Sequence, residues 1–125
     1  AAVEPPLPPE LEGVPSAETI HEAVSRGQQP DTHRFLRLMG RLSPGSSARA
    51  EDVARAEARL FAVPPWMERI SAATGAVLGC GRAYCALIVL MHRRGATVPA
   101  LRAYDELRRR GHEVPVCTLA LLLDL

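Results

Sequence analysis

Three side chains that lie near one another in the sequence are of types that would suit a zinc ion: Cys80, Cys85 and His92. Structural zinc takes four thiolate or imidazole ligands at short, regular spacings along the chain. These three residues match no such spacing, and a fourth ligand is missing. Cys85 and His92 share one face of a helix, as two core residues also do. We therefore expect neither a metal nor any other cofactor.

The sequence likewise contains no motif for acid–base catalysis or for phosphate binding. Histidine precedes glutamate at residues 21–22 and 112–113, but adjacent side chains diverge on a helix and neither pair accompanies a nucleophile. The glycines within residues 75–81 have no strand before them and no lysine after them, as a phosphate-binding loop would require. We predict no catalytic residue and no small-molecule substrate, so the protein is expected not to be an enzyme.

Arginine is the residue type with the clearest binding chemistry. All 15 basic residues are arginines, and residues 81–113 hold seven of them against three acids, a local charge of +4. A guanidinium fork suits a carboxylate on an acidic protein surface or a phosphate of RNA. The alternative is a solvated face whose arginines cap helix C-termini. We predict that six arginines contact a partner: Arg93, Arg94, Arg102, Arg108, Arg109 and Arg110.

Composition limits the class of protein. The 125 residues suffice for one domain. Apolar residues make up 47% of the chain but aromatic residues only 4%, so alanine and leucine must provide most of the core packing. Such a core suits close-packed helices. The net charge of +1 is far from the basic excess of an autonomous nucleic-acid binder. Three cysteines without a Cys-x-x-Cys motif favour a reducing compartment. The longest apolar run, residues 76–91, contains Arg82 and is too short to span a membrane.

Helical periodicity and its breaks organise the chain. Residues 1–15 contain five prolines and three glutamates, which predicts an extended N-terminal arm. This arm is either a solvated tail or is ordered by lying on another surface. Residues 16–125 form the predicted helical domain, in which Ser16 and Thr97 are expected to cap helices and a Pro-Pro pair at 64–65 to separate two of them. No alternating pattern is long enough for a strand, so the predicted fold is all-α. The seven predicted helices lie near residues 16–26, 31–42, 49–62, 65–79, 82–94, 97–110 and 115–125.

Residues 100–115 contain the clearest signals for a helix, for its end and for the start of the next helix. Leu101, Tyr104 and Leu107 fall on one side of the helix at helical spacing. Gly111 is placed to end the helix in the left-handed conformation, and Pro115 to open the next one. The residues expected to be mostly buried in this part of the chain are Tyr84, Leu87, Ile88, Met91, Leu101, Tyr104 and Leu107.

A repeat is visible in this order of elements. Two predicted helices share one apolar spacing, Phe35-Leu38-Met39-Leu42 in the first and Tyr84-Leu87-Ile88-Met91 in the second. The run Gly27-Gln28-Gln29-Pro30-Asp31, followed by Phe35 and Leu38, resembles the Gly-x-x-Pro-Asp junction and first helix of pentatricopeptide repeats, with tetratricopeptide repeats as the near alternative. The residues that match the packing positions of a whole repeat are Tyr84, Leu87, Ile88, Gly95, Ala100, Tyr104, Leu107 and Gly111.

The spacing of these matches fits a repeat of about 35 residues. From Tyr84 to its equivalent, Thr118, there are 34 residues. From Phe35 to Tyr84 there are 49, a surplus of about 14 residues. We expect either one extra helix at 66–79 or a degenerate middle repeat. The resemblance implies a short, right-handed α-solenoid of antiparallel helix pairs.

The resemblance also implies a location and a role. Related proteins read RNA through polar residues at set positions of each repeat, but Leu36 and Cys85 stand at two of these positions here, so base readout is not expected. Short repeat proteins of this kind decorate mitochondrial ribosomes and, in some protists, the F1 sector of ATP synthase or respiratory complexes. We expect a non-catalytic accessory subunit of ATP synthase or a respiratory complex in the mitochondrial matrix, the plastid being second. The alternative is a protein of the mitochondrial ribosome or an RNA-processing complex that contacts RNA through its arginines.

The two ends of the chain carry further expectations. The start at Ala1-Ala2, without methionine, is expected of a mature form after presequence removal. Residues 119–123 are a run of apolar residues, and consecutive leucines on a helix point in directions that one neighbour cannot cover. A solenoid normally closes with a helix whose outer face is polar. We predict that Leu119 and Leu122 contact a partner protein and that the arm lies along a second protein surface.

Overall fold

The structure is a computed structural model that describes residues 6–43 and 49–123. Within these ranges it contains six α-helices, one short 3-10 helix and no strand, which confirms the all-α prediction. None of the helices in these ranges combines the length and the apolar character needed to cross a bilayer. The 3-10 helix is Pro9–Leu11, and the α-helices are α1 (Pro15–Ser25), α2 (Thr32–Leu42), α3 (Ala50–Thr74), α4 (Cys80–Arg93), α5 (Thr97–Arg109) and α6 (Val116–Leu123).

Three of the helices end in the same way. α1, α4 and α5 are each followed by a glycine with positive φ: Gly27 at 80°, Gly95 at 67° and Gly111 at 75°. After α5, the Gly111 N–H donates to the Arg108 carbonyl at 2.9 Å. The next N–H, from His112, donates to the Leu107 carbonyl at 3.3 Å. The same pair of bonds follows α1 and α4, and it satisfies carbonyls that the helix leaves open. The predicted stop at Gly111 is confirmed, and the helices predicted to end at residues 26 and 94 end beside Gly27 and Gly95.

Two helix starts differ from the predicted caps. Ser16 lies inside α1, which begins at Pro15, and its hydroxyl accepts a hydrogen bond from the Arg41 guanidinium at 3.0 Å. Thr97 is the first residue of α5, and the capping position falls to Ala96, whose side chain has no acceptor. Proline takes the first helical position of α1 without cost because its missing N–H would have no partner there. The predictions that Ser16 and Thr97 act as caps are therefore wrong.

Residues 50–74 form one helix where the sequence predicts two. The helices predicted at 49–62 and 65–79 are joined across Pro64 and Pro65, both of which lie inside α3. An interior proline removes one N–H donor and costs about 3 kcal/mol relative to alanine. The flanking residues Val63 and Trp66 are completely buried, and this packing offsets the cost. The prediction that Pro64-Pro65 ends a helix is wrong.

The length of α3 also bears on the extra helix predicted at residues 66–79. α3 is 25 residues long and ends at Gly75, which has a φ of 75°. Residues 66–74 therefore belong to α3 and do not form a separate helix. The separate helix predicted to reach residue 79 is absent, and Val77, which lies within that predicted range, is 98% exposed.

The chain divides into two compact units with the boundary between Gly79 and Cys80, and each is described by itself. In the first unit α2 packs against α1 and α3. The Arg41–Ser16 bond places the end of α2 beside the start of α1, so these helices are antiparallel. The Gly79 N–H donates to the Thr32 hydroxyl at 3.3 Å, which places the start of α2 beside the segment that follows α3.

The core of the first unit lies between α2 and α3. Part of the N-terminal arm joins it, because the 3-10 helix packs on α3 and Leu11 is completely buried. The prolines of the arm predict an extended chain. The structure instead has a turn of 3-10 helix at Pro9–Leu11. The largest fully buried side chains of this unit are Leu11, Phe35, Leu38, Met39, Leu60, Trp66, Met67 and Ile70.

In the second unit α4 and α5 form a closely packed hairpin, and α6 packs on α4. The predicted burial of Tyr84, Leu87, Ile88, Met91 and Leu107 is confirmed. Leu101, however, is 47% exposed, so its prediction as a mostly buried residue is wrong, and Tyr104 is half-buried. The buried stripe of α5 is instead Ala100, Ala103 and Leu107, because two alanines let the helix backbones approach closely.

Antiparallel helix pairs are thus present in both units. Their stacking into a right-handed solenoid stays a prediction, as does the division into an arm of residues 1–15 and one domain of residues 16–125.

Candidate partner-binding surface

The six arginines predicted to bind a partner lie in the second unit, at different places along its hairpin. Arg93 is exposed at the end of α4, and Arg94 follows it half-buried. Arg108, Arg109 and Arg110 are exposed at the end of α5. Because α4 and α5 are antiparallel, these two groups occupy opposite ends of the hairpin, about 20 Å apart for a helix of this length. Arg102 is exposed between them on α5. The arginines therefore do not form one patch.

Acidic side chains of α5 compensate part of this charge. The Arg109 guanidinium lies 2.7 Å from the Asp105 carboxylate and 3.5 Å from Glu106. Glu106 also pairs with Arg110. These partners are three or four residues apart on one helix, where such pairs form readily, and they add only a few tenths of a kcal/mol at an exposed site. The last turn of α5 consequently offers a partner less positive charge than its sequence suggests.

Two of the arginines also lie on aromatic rings. The Arg110 guanidinium is 5.0 Å from the centre of the Tyr84 ring, and Arg108 is 5.7 Å from that of Tyr104. The His112 ring packs against Tyr84 as well, with centroids 6.1 Å apart. A cation over an aromatic face is attracted by its quadrupole. Arg110 therefore joins the end of α5 to the start of α4, which is a structural role.

The most distinctive surface of the second unit is the outer side of α6. Val116 is 82% exposed, Leu119 39% and Leu123 88%, and Ala120 is exposed between them. Their spacing of three, four and seven residues places them on one side of a helix. Residues 114–123 contain no charged side chain. We call Val116, Leu119, Ala120 and Leu123 the α6 face.

Comparison with protein-family models, with curated proteins and with solved structures found no match.

Leu119 and Leu122, the two leucines predicted to contact a partner, differ in position. Leu119 belongs to the α6 face, whereas Leu122 is half-buried. Sequence reasoning did not select Val116 and Leu123, the two most exposed members of the face. The spacing of three and seven residues from Val116 was the signal that would have found them.

α6 is held on α4 through its opposite side. Thr118 is only 3% exposed, and its side chain makes a hydrogen bond with Cys85 of α4. Burial raises the pKa of the Cys85 thiol, the bond with Thr118 lowers it, and the neighbouring Cys117 raises it again; the net direction is upward. Of the two thiols, Cys117 is exposed and Cys85 half-buried.

The predicted absence of a metal site concerns the same region. Cys80 is buried at the start of α4, and Cys85 and His92 are half-buried further along that helix. Across residues 6–43 and 49–123, no group of three or more His, Cys, Asp or Glu side chains is arranged to hold a metal ion.

Proposed function

We propose that the protein is a non-catalytic binding subunit of a larger assembly and that it binds a partner protein through the α6 face. The observation that carries this proposal is the row of Val116, Leu119 and Leu123, which stand open to solvent on one side of a helix. Burying one such side chain contributes about 1.5–3 kcal/mol. An apolar helix of a partner, laid along α6, gains this energy without having to desolvate a charge.

The resemblance to pentatricopeptide repeats supplies the proposed setting. On this resemblance we propose that the protein lies in the mitochondrial matrix, as an accessory subunit of the F1 sector of ATP synthase or of a respiratory complex. The net charge of +1 and the pairing of Arg109 and Arg110 with acids of their own helix favour protein contacts over RNA contacts.

The second candidate function is RNA contact within a mitochondrial ribosome or an RNA-processing complex. Its support is the exposure of Arg93 and Arg102. An RNA backbone needs several cations along its path, and the arginines of this unit are separated along the hairpin.

Purification of the tagged chain from its own cells distinguishes these functions. Protein and RNA that come with it are identified by mass spectrometry and by sequencing. We expect the subunits of one protein assembly, with stoichiometry that survives nuclease treatment. Ribosomal RNA together with ribosomal proteins would favour the second candidate, and a chain that purifies alone would contradict the proposal.

A further inference from the structure

A second surface lies in the first unit, between α1 and α2. The two helices border a groove of about 320 Å³. Three arginines of α2 line it, Arg34, Arg37 and Arg41, at a spacing of three and seven residues that places them on one side of the helix. From α1, Pro15 and Ser16 form the facing wall. No carboxylate lines this groove.

The charge of these arginines is not compensated within residues 6–43 and 49–123. Neither Arg34 nor Arg37 pairs with a carboxylate of these ranges, and Arg41 makes its hydrogen bond to the neutral Ser16 hydroxyl at 3.0 Å. Arg26 and Arg109, by contrast, each have an acidic partner one helical turn away. Three adjacent uncompensated guanidinium groups repel one another, and an anion placed among them removes this repulsion.

The α1 side of the groove adds hydrogen-bond donors. The Ser16 hydroxyl accepts from Arg41 and keeps its own proton available for an acceptor in the groove. Ser16 belongs to the first turn of α1, where backbone N–H groups have no acceptor within the helix. Glu18 of the same turn, which accepts from the Gly13 N–H at 2.9 Å, offsets the positive end of the helix dipole. The groove thus presents hydrogen-bond donors from both walls and positive charge from the α2 wall.

We infer that this groove binds a carboxylate-rich helical segment of a partner protein. The inference rests on the proposed function only in that the occupant is a protein, since the groove and the α6 face belong to different units. Arg34 and Arg41 are seven residues apart, a rise of about 10 Å along α2. A partner helix with acids three and four residues apart presents carboxylates over a similar length. Each carboxylate can accept two parallel bonds from one guanidinium.

Two observations favour an acidic protein segment over single-stranded RNA. The groove is lined by no aromatic ring on which a base would stack. Residues 1–79 hold ten acids against eight arginines, so this part of the chain exerts no long-range attraction on a polyanionic backbone. A local cluster of cations within an otherwise acidic unit suits a ligand whose negative charges are equally local.

The test measures binding to the full chain by fluorescence anisotropy. The probe is a labelled helix-forming peptide of about 15 residues, with glutamates three and four residues apart along one face. A matched peptide carries glutamine at the same positions, and a single-stranded RNA of similar length is the third probe. The protein variants are Arg34→Gln and Arg37→Gln, with Arg55→Gln of α3 as the matched control, because Arg55 is exposed and lies outside the groove.

We expect the glutamate peptide to bind at least about tenfold more tightly than the glutamine peptide and to weaken as salt is raised. Arg34→Gln and Arg37→Gln should each weaken it by about tenfold, and Arg55→Gln should leave it unchanged. Equal binding of the two peptides, or an undiminished affinity in Arg37→Gln, would overturn the inference. RNA that binds more tightly than the peptide and is lost in Arg37→Gln would also overturn it.

The same titration separates this inference from the proposed function. Val116→Asp alters the α6 face and leaves the groove intact, so it should bind the glutamate peptide with unchanged affinity. If the peptide fails to bind while the chain still purifies with its partner, the groove inference fails and the proposed function stands.

Discussion

The ring of Phe35 meets the ring of Trp66 edge to face, with centroids 5.4 Å apart and planes at 77°. Phe35 comes from α2 and Trp66 from the part of α3 that follows its two prolines. Both side chains are completely buried. This contact ties the second half of α3 to α2, and it explains why the helix continues where its sequence predicts a break.

The first prediction follows from this contact. Phe35→Ala should lower the free energy of unfolding by about 3–5 kcal/mol, because it removes a fully buried ring and leaves a cavity beside Trp66. Urea denaturation followed by circular dichroism measures the change. His33→Ala, at an exposed position of the same helix, should shift it by no more than about 0.5 kcal/mol. A loss below about 1 kcal/mol in Phe35→Ala would show that the two rings are not packed together.

The second prediction concerns the continuity of α3. Pro65 lies inside the helix and is half-buried. Pro65→Ala restores one N–H donor and removes a ring that is only half-buried, so it should raise the free energy of unfolding, by up to about 3 kcal/mol. Thermal denaturation measures this. An unchanged or lower stability would indicate that the chain breaks at this point, as the sequence alone predicts.

The differences between the predicted and the observed helices show which parts of the fold are determined by local sequence. Gly27, Gly95 and Gly111 end their helices as predicted, because the left-handed conformation that glycine favours is a property of single residues. Pro64 and Pro65 do not act as predicted, because their local cost is outweighed by buried neighbours that come from elsewhere in the chain. Packing between helices could not be read from local signals.

The third prediction compares two leucines of α5. Leu107 is completely buried and Leu101 is 47% exposed. Leu107→Ala should lower the free energy of unfolding by about 2–5 kcal/mol, and Leu101→Ala by less than about 1 kcal/mol. The two variants remove the same atoms from one helix, so each serves as the control for the other. Equal losses in urea denaturation would mean that α5 is rotated relative to the orientation described here.

The fourth prediction concerns the thiols at the contact of α4 and α6. Cys117 is exposed, whereas Cys85 is half-buried and its pKa is raised, chiefly by burial. A raised pKa leaves less thiolate at a given pH, and the thiolate is the reactive form. Cys117 should therefore be alkylated first, and the reaction of Cys85 should accelerate only at a pH above the ordinary thiol range.

Peptide mapping after timed alkylation, in the wild type and in Cys117→Ser, measures both rates. Unfolding in urea should bring the rate of Cys85 to that of an ordinary thiol. Reaction of Cys85 as fast as that of Cys117 in the folded chain would contradict the packing of α6 on α4. The raised pKa also makes stability depend on pH, because the folded chain holds the Cys85 proton more tightly than the unfolded chain does. This contribution to the free energy of unfolding is present below the pKa of the thiol in the unfolded chain. It is lost as pH rises through the raised pKa of the folded chain.

The candidate binding surfaces were harder to predict from the sequence than the helices were. The sequence emphasises the arginines at 108–110, yet Asp105 and Glu106 pair with two of them at spacings that the sequence already shows. The arginines of α2 attract no attention in the sequence, because their significance depends on the groove beside α1 and on the missing acidic partners. Exposure and pairing are properties of the folded chain.

The most direct test of the central claim is the purification of Val116→Asp from the cells of origin. Val116 is 82% exposed in the first turn of α6, where an aspartate favours the helix dipole, so the fold should be kept. Val77→Asp is the matched control, since Val77 is 98% exposed in the first unit. We predict that Val116→Asp loses the partner proteins that the wild type carries and that Val77→Asp retains them. Retention of the same proteins by both variants would contradict the account.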